Sequence, residues 1–404
     1  WVKSGTQSVR IDDVTLTGTG STPVVNVTGS FTKFYANDNG LGSDVQSVTV
    51  NGGSLTNNIV VGPLSGYEFS TSSTGPFSSS LTLNQTSGTV PNTIVYARLS
   101  SASAVGTYPG NISFVSSPAT TVNKSTNGQV YSNGSSFTTG NIVTLRVGEV
   151  GGDLLTTGSA PVFIDEYTTS GVFVQSVPLP FKTSGSNKKF SVNGLSTTEG
   201  FLNLSPDGQF LTFGGYDAIP GVTGISSTSS ASYNRVVARV TQNGTINTTT
   251  AMTDAFSAGS IRSAATVDGT SFWTGGAGTG GGTRYVTLGG TTSTLVSAAP
   301  TNTRGTAIYN SQLFTSSQSG TNIGVSTVGS GLPSTSGNTT TILSGTATNV
   351  DLTNPQGFVF GDIDGNGTPE VLYVADGNLG IVKFSNNGGV WTKRGSLPNP
   401  SGRA

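Results

Sequence analysis

Cysteine and histidine are absent from this 404-residue sequence, and only 9% of its residues carry a charge. Without cysteine the chain has no disulfides, no thiolate nucleophile and no Zn–Cys site. Without histidine it lacks Ser-His-Asp triads, histidine-ligated metals and the commonest general base. The two absences remove most hydrolase mechanisms, although neither excludes secretion.

The charge balance is nearly neutral, with a formal net charge of -1. Nucleic-acid binding requires a basic surface, so no nucleic-acid partner is expected. No apolar run approaches the roughly 18 residues of a membrane span. The opening residues Trp-Val-Lys-Ser-Gly do not resemble a signal peptide. We therefore expect that the chain has lost its signal or begins within a longer protein.

Glycine, serine, threonine and asparagine dominate, with 58 glycines and 33% hydrophobic residues. Gly/Ser/Thr-rich chains are often disordered because they bury too little apolar surface. Here the hydrophobic residues fall in short alternating runs bounded by turn residues, which is typical of half-buried strands. The sequence predicts an all-β protein whose surface is polar mainly through hydroxyl and amide groups.

The first segment, residues 1–18, contains one alternating run from Val9 to Leu16. A single strand is not stable alone, so its partners must lie elsewhere. The letters RIDDVTLTG resemble the last strand of jelly-roll carbohydrate-binding or lamin-tail-like modules of secreted bacterial proteins. This segment is interpreted as the end of a preceding jelly-roll-like domain.

Residues 19–135 contain short predicted strands about every ten residues, which is typical of a β-sandwich. The candidates are Ser30–Tyr35, Asp44–Val50, Ile59–Val61, Tyr67–Thr71, Ser79–Leu83, Thr93–Leu99 and Gly110–Val115. The stretches SDVQSVTVNGGSLTNNIVVGPLSGYEFST and FSSSLTLNQTSGTVPNTIVYARLSSASAVGTYPGNISFVSS resemble an Ig-like module repeated in Bacteroidota surface proteins. The resemblance implies an Ig-like sandwich that acts as a spacer and carries no catalytic residues.

Residues 136–404 repeat a tight turn followed by an apolar strand, at intervals of about 40 to 65 residues. Asp-Gly and equivalent turns favour hairpins, and the apolar run would supply the core of a propeller blade. The copies predict about five blades and lie at Gly140–Val147, Ser205–Phe213, Val267–Thr274, Tyr309–Thr315 and Pro369–Val374.

The Ser-Pro-Asp-Gly copy resembles the blade motif of TolB-like propellers. PVFIDEYTTSGVFVQSVPLP and TTEGFLNLSPDGQFLTFGGYDA are similar to Bacteroidota propeller proteins. The resemblance implies a seven-bladed propeller, of which the chain holds an incomplete part. An open propeller exposes a strand edge, so we expect the natural chain to continue past Ala404. A C-terminal sorting domain for type IX secretion and surface anchoring is expected there.

A nine-residue acidic loop is the sharpest chemical motif. Oxygen donors occupy its positions 1, 3, 5 and 9, and a backbone carbonyl is available at position 7: Asp362, Asp364, Asn366, Glu370 and Thr368. Gly367 stands at position 6, where calcium loops turn sharply. FGDIDGNGTPEVLYV resembles the FG-GAP calcium loops of integrin-type propellers, although aspartate is commoner at the position of Glu370. The prediction is a structural Ca²⁺ site, and the alternative is a plain polar hairpin turn.

Other candidate residues give weaker indications. Asp165 and Glu166 are adjacent in a predicted strand, so their side chains should point to opposite faces and not form a glycosidase pair. Asp207, Asp217, Asp254 and Asp268 are interpreted as turn formers, and nothing in the sequence groups Tyr216, Tyr233, Arg235, Arg262 and Arg284. The glycine-rich Gly275–Gly282 is interpreted as a flexible blade connection and not as a dinucleotide-binding loop, because a strand is predicted after it. Trp273, Tyr285, Tyr309 and Phe314 are either a sugar-stacking face or blade core.

Together these patterns predict an extracellular or cell-surface protein whose expected partner is a glycan or another cell-surface polymer. The preferred hypothesis is a non-catalytic adhesin or binding protein, with the propeller as the ligand face. One alternative is a secreted polysaccharide-acting enzyme, with catalytic residues on the propeller face or outside this sequence. Another is a structural subunit of a surface layer or filament. Whether the chain is an enzyme stays open.

Overall fold

The computed structural model describes residues 21–346 and 351–398 and is all-β. Within these ranges it contains 32 strands, numbered β1 to β32 in chain order, and one 3-10 helix at Ile225–Ser227. No helix in the described ranges is long and apolar enough to cross a bilayer. The predicted all-β class is therefore confirmed. The predicted jelly-roll strand at 1–18 lies outside the described residues.

The chain divides into two compact units, the first of which contains the described residues up to Thr32 with Val45–Arg98 and Pro109–Asn127. It consists of two four-stranded antiparallel sheets. One sheet has the order β1 (Val24–Thr28), β3 (Gln46–Gly53), β7 (Val90–Leu99) and β5 (Tyr67–Ser70). The other has the order β10 (Val122–Thr126), β9 (Gly110–Val115), β4 (Ile59–Val61) and β6 (Leu81–Leu83).

The two sheets of the first unit pack on each other: a Cβ at Gly52 of β3 would lie 3.1 Å from the Ile59 side chain of β4, and the Thr126 hydroxyl of β10 donates to the Tyr67 hydroxyl of β5 (3.4 Å). The strands predicted at Ile59–Val61 and Gly110–Val115 have the predicted bounds. The strand predicted at Ser30–Tyr35 starts later, at Phe34. The reason is local: Thr32 donates its backbone N–H to the Gln46 side chain (2.8 Å) instead of to a neighbouring strand.

The second unit contains Lys33–Asp44, Leu99–Tyr108 and the residues from Gly128 onward. Its first sheet has the order β2 (Phe34–Asn37), β11 (Gly128–Tyr131) and β8 (Gly106–Thr107), with β2 and β11 parallel. Three short stretches of the predicted sandwich range 19–135 therefore group with the C-terminal sheets. The domain boundary between residues 135 and 136 stays a prediction.

Five antiparallel sheets follow one another along the second unit. Sheet 1 is β12 (Ile142–Val147), β14 (Val162–Tyr167) and β15 (Phe173–Pro178), with a separate pair formed by β13 (Ser159–Ala160) and β16 (Val192–Asn193). Sheet 2 is β17 (Asn203–Leu204), β18 (Phe210–Tyr216), β19 (Arg235–Thr241) and β20 (Ile246–Met252). Sheet 3 is β21 (Ile261–Ala265), β22 (Ser271–Gly276), β23 (Gly282–Thr287) and β24 (Thr294–Ser297). Sheet 4 is β25 (Thr303–Tyr309), β26 (Gln312–Ser319), β27 (Asn322–Val328) and β28 (Thr340–Ile342). Sheet 5 is β29 (Pro355–Gly361), β30 (Val371–Asp376), β31 (Gly380–Asn387) and β32 (Val390–Leu397).

Consecutive sheets pack face to face. Neighbouring residues of one strand point to opposite sides, so one strand contributes side chains to the core on each side of its sheet. In β22, Phe272 packs toward sheet 2 and Trp273 toward sheet 4. In β26, Leu313 packs toward sheet 3 and Phe314 toward sheet 5. Each of the five predicted motif copies lies in a different sheet, so the repeat identified in the sequence corresponds to one sheet per copy.

Hydroxyl and amide side chains connect consecutive sheets. The Asn203 side chain donates to the Ala264 carbonyl (2.8 Å) and the Ser263 hydroxyl to the Arg304 carbonyl (2.6 Å). The Ser316 hydroxyl donates to a carbonyl of β29. Hydroxyl groups, which the sequence predicts to make the surface polar, also satisfy backbone groups in the interior of these sheets.

Candidate functional sites

The acidic loop connects β29 with β30, two neighbouring strands of sheet 5, and its backbone folds around its own carboxylates. The two carboxylate oxygens of Asp362 accept hydrogen bonds from the N–H groups of Gly365 and Gly367, both at 2.7 Å. The Glu370 carboxylate accepts from the N–H of Ile363 (2.6 Å). Gly367 has φ 88°, a left-handed conformation that glycine adopts without strain.

Three of the five predicted ligands converge. Asp362, Asp364 and Glu370 each offer a carboxylate oxygen, and these oxygens lie within 4.8 Å of one another. The Asn366 amide oxygen instead accepts from the N–H of Thr368 (2.7 Å). Hard carboxylate oxygens on a turning loop fit the ligand preference of Ca²⁺. The same hydrogen bonds also stabilise a plain polar turn, so both interpretations fit these contacts.

The charge of this loop affects the pKa of Tyr309, which lies at the end of β25 in sheet 4. Its ring centroid is 5.4 Å from that of Phe360 in sheet 5. Burial raises the pKa of Tyr309, and the negative charges of Asp362 and Glu370 raise it further. The acidic loop therefore creates a negative potential that favours a bound cation.

A second cluster joins residues that the sequence analysis left ungrouped. The Tyr216 hydroxyl donates to the Glu199 carboxylate (2.8 Å), and the Arg235 guanidinium lies 4.9 Å from the centroid of the Tyr216 ring. Arg235 also donates to the Tyr233 carbonyl (2.6 Å). Tyr216 and Arg235 are fully buried. The cluster was missed because its members are far apart in the chain and come from different strands and loops.

Burial determines the proton equilibria of this cluster. It raises the pKa of Glu199 above its usual value, and it raises that of Tyr216 well above 10.0, helped by the charge of Glu199. Burial also lowers the pKa of Arg262, against the opposing effect of Glu199. Perturbed titratable groups that share one location mark a candidate functional site, although structural networks produce the same shifts.

The paired carboxylates of β14 do not form a common site. Asp165 is bound by Arg146 (2.6 Å) and by the Ser176 hydroxyl (2.6 Å). Glu166 accepts instead from the Gln175 side chain (2.7 Å) on the other side of the strand. The prediction that these side chains point to opposite faces is confirmed.

Two of the four candidate aromatic residues are core residues. Trp273 is 5% exposed and donates its indole N–H to the Pro333 carbonyl (2.7 Å). Phe314 is 8% exposed, with its ring centroid 4.6 Å from that of Phe360. The core interpretation is confirmed for both.

The glycine-rich run connects two neighbouring strands of one sheet. Gly275 and Gly276 belong to β22 and Gly282 to β23, so the run is a turn within sheet 3. Glycine fits at these positions because a Cβ atom there would collide with neighbouring backbone or side-chain atoms. A strand follows the run, so it is not the start of a dinucleotide-binding helix.

No protein-family model and no curated protein matches the sequence. Several solved structures match distantly. One is described as a "putative 6-phosphogluconolactonase" from Bacteroides uniformis, with 12% sequence identity and a TM-score of 0.35. The match covers 65% of this chain and 70% of that one.

Proposed function

We propose that this chain is an extracellular, non-catalytic surface adhesin or binding protein that recognises a glycan or another cell-surface polymer. In this proposal the first unit is an Ig-like spacer, and sheets 1–5 belong to a β-propeller that presents the ligand face. The acidic loop of sheet 5 holds a structural Ca²⁺ ion.

Two features of the architecture support this assignment. Sheets 2–5 are each four-stranded and antiparallel, they follow in chain order, and each packs on the next, as propeller blades do. The first unit packs two antiparallel sheets on each other, as Ig-like sandwiches do.

The observation that carries the binding proposal is how sheets 1–5 use their carboxylates. A carboxylate that acts as a general acid or base must reach the substrate and change its protonation state. Here each candidate carboxylate instead accepts hydrogen bonds from neighbouring side chains. Asp165 accepts from Arg146 and Ser176, Glu166 from Gln175, Asp254 from Arg284 and Ser293, and Asp268 from Thr270. A surface poor in charge and rich in amides and hydroxyls suits the recognition of sugar hydroxyls.

An oligosaccharide array tests the proposed function. We expect the full chain to bind a defined set of oligosaccharides in millimolar Ca²⁺ and to bind them more weakly after EDTA treatment. Circular dichroism in both buffers checks that the protein is folded. A folded protein that binds no oligosaccharide would refute glycan recognition.

Calcium binding is tested by thermal unfolding in Ca²⁺ and in EDTA. A ligand present at about 100 times its Kd stabilises the folded state by about 2.7 kcal/mol. We expect a higher Tm in Ca²⁺ for the wild type and no difference for the Asp362→Asn/Asp364→Asn variant. Asp207→Asn is the matched control, because Asp207 shapes a hairpin turn outside this loop. A wild-type Tm that is the same in Ca²⁺ and in EDTA would show that the loop is a plain polar turn.

The Glu199 cluster favours the polysaccharide-acting enzyme as a second candidate. A carboxyl whose pKa is raised by burial, beside Tyr216, is suited to proton transfer. The test is incubation with polysaccharides and detection of new reducing ends. Product formed by the wild type but not by Glu199→Gln would favour the enzyme, and product formed by neither would favour the binding protein.

A further inference from the structure

A surface groove of about 520 Å³ lies at one end of sheet 2. The β17–β18 hairpin, the β19–β20 turn and the residues that precede sheet 1 form its walls. Its volume lies within the roughly 300–1,000 Å³ of small-molecule sites. The side chains that line it are uncharged and include Phe210, Gln209, Gln242 and Asn243.

The groove contains a fixed aromatic ring. Phe210 is half-buried, and the Arg239 guanidinium carbon lies 5.1 Å from the centroid of its ring. Arg239 is in turn held by a hydrogen bond to the Gly269 carbonyl (2.8 Å). The backbone N–H of Phe210 donates to the Ser205 hydroxyl (2.9 Å). A ring that is already ordered loses little entropy when a ligand packs on it.

The polar walls of the groove keep unused hydrogen-bonding capacity. The Gln242 amide N–H₂ donates to the Thr139 hydroxyl (2.8 Å), which leaves the amide oxygen as a free acceptor. The Asn243 amide oxygen accepts from the N–H of Thr245 (3.1 Å), which leaves its N–H₂ as a free donor. Gln209 is exposed at the rim. The groove therefore offers a donor and an acceptor whose positions are fixed by other bonds.

This combination matches the chemistry of a neutral sugar. A pyranose ring presents C–H groups that pack on an aromatic face and hydroxyls that both donate and accept hydrogen bonds. An anionic or cationic ligand would need a charged partner in the groove, and the lining supplies none. We propose that this groove is a binding subsite for a neutral saccharide unit, which rests on the proposed glycan-binding function.

The test compares variants of the full chain on an array of neutral, uronate-containing and sulfated oligosaccharides, followed by calorimetry with the neutral oligosaccharides that bind. Asn243→Ala removes the free donor, and we expect affinity to fall about fivefold or more. Phe210→Leu keeps apolar volume but removes the flat ring, and we expect about a tenfold loss. Phe173→Leu is the control, because Phe173 is an exposed aromatic residue of sheet 1.

The outcomes separate this inference from the proposed function. Weaker binding by both groove variants, with unchanged binding by Phe173→Leu and circular dichroism spectra that show all three variants folded, supports the subsite. Neutral oligosaccharides bound equally by wild type and Asn243→Ala would overturn the subsite and leave glycan binding intact. Binding restricted to charged oligosaccharides would also overturn it. Failure to bind any oligosaccharide would refute the proposed function and the subsite together.

Discussion

At the scale of single residues, Glu166 illustrates how this chain uses polar groups in its interior. The side chain is fully buried, yet it accepts hydrogen bonds from the Thr138 N–H (2.7 Å), the Asn141 amide (2.6 Å) and the Gln175 amide (2.7 Å). Burial alone would raise its pKa, but these donors outweigh burial and hold the pKa below its ordinary 4.5. The charged form is therefore the form that the fold stabilises.

The lowered pKa of Glu166 predicts a pH dependence of stability. A carboxyl whose folded pKa is depressed contributes stability above its unfolded pKa and loses it as pH falls through the folded value. We expect Glu166→Gln to lower the unfolding free energy by about 1–3 kcal/mol at neutral pH, because one donor loses its acceptor. The difference from wild type should shrink below pH 4.5 in urea unfolding. A difference that stays constant from neutral to acidic pH would contradict this account.

Contacts between residues that are close in the sequence were easier to predict than contacts between residues that are far apart. Asp362, Asp364 and Glu370 were identified from their spacing, since a nine-residue loop brings them together through local turns. The pairing of Glu199 with Tyr216 depends on how sheet 2 folds back on the segment before it. No spacing rule in a single sequence encodes such a contact.

At the scale of elements, turn chemistry identified the sheets better than hydrophobic alternation did. Each predicted turn leads into a strand of a separate sheet. The alternation suggested half-buried strands, whereas β22 and β26 are buried on both faces. In β26, the buried Thr315 hydroxyl donates to the Gly305 carbonyl of its own sheet, and the Ser316 hydroxyl donates to the Gln356 carbonyl of sheet 5. A polar letter in these strands therefore does not indicate exposure.

Close packing around β22 predicts a strong effect of a single added methyl group. A Cβ at Gly276 would lie 2.6 Å from the buried Phe256 ring and would also meet the Ser260 carbonyl. We expect Gly276→Ala to lower the unfolding free energy by about 1–3 kcal/mol through overpacking. Gly357→Ala in β29 is the control, since its nearest neighbour is the Phe201 ring at 3.5 Å. Equal stability of the two variants in urea titrations would show that the run is loosely packed.

At the scale of the whole molecule, the order of sheets in space follows their order in the sequence, and each shared core joins a sheet to the next. Within the described residues, sheet 5 departs from this pattern on one of its faces. Phe384 is fully buried against sheet 4, while Ile381 on the same strand is 50% exposed and Leu397 on β32 is 69% exposed. The sequence indicated the repeats, but only the structure shows which sheets pack against a neighbouring sheet on both of their faces.

The most direct test of the stacked-sheet architecture compares two substitutions on β31 in equilibrium urea unfolding. Phe384→Ala should lower the unfolding free energy by about 3–5 kcal/mol, because it opens a cavity between sheets 4 and 5. Ile381→Ala should change it by no more than about 0.5 kcal/mol, because its side chain faces away from sheet 4. Equal losses for the two variants, or a larger loss for Ile381→Ala, would contradict the stacking of sheet 5 on sheet 4.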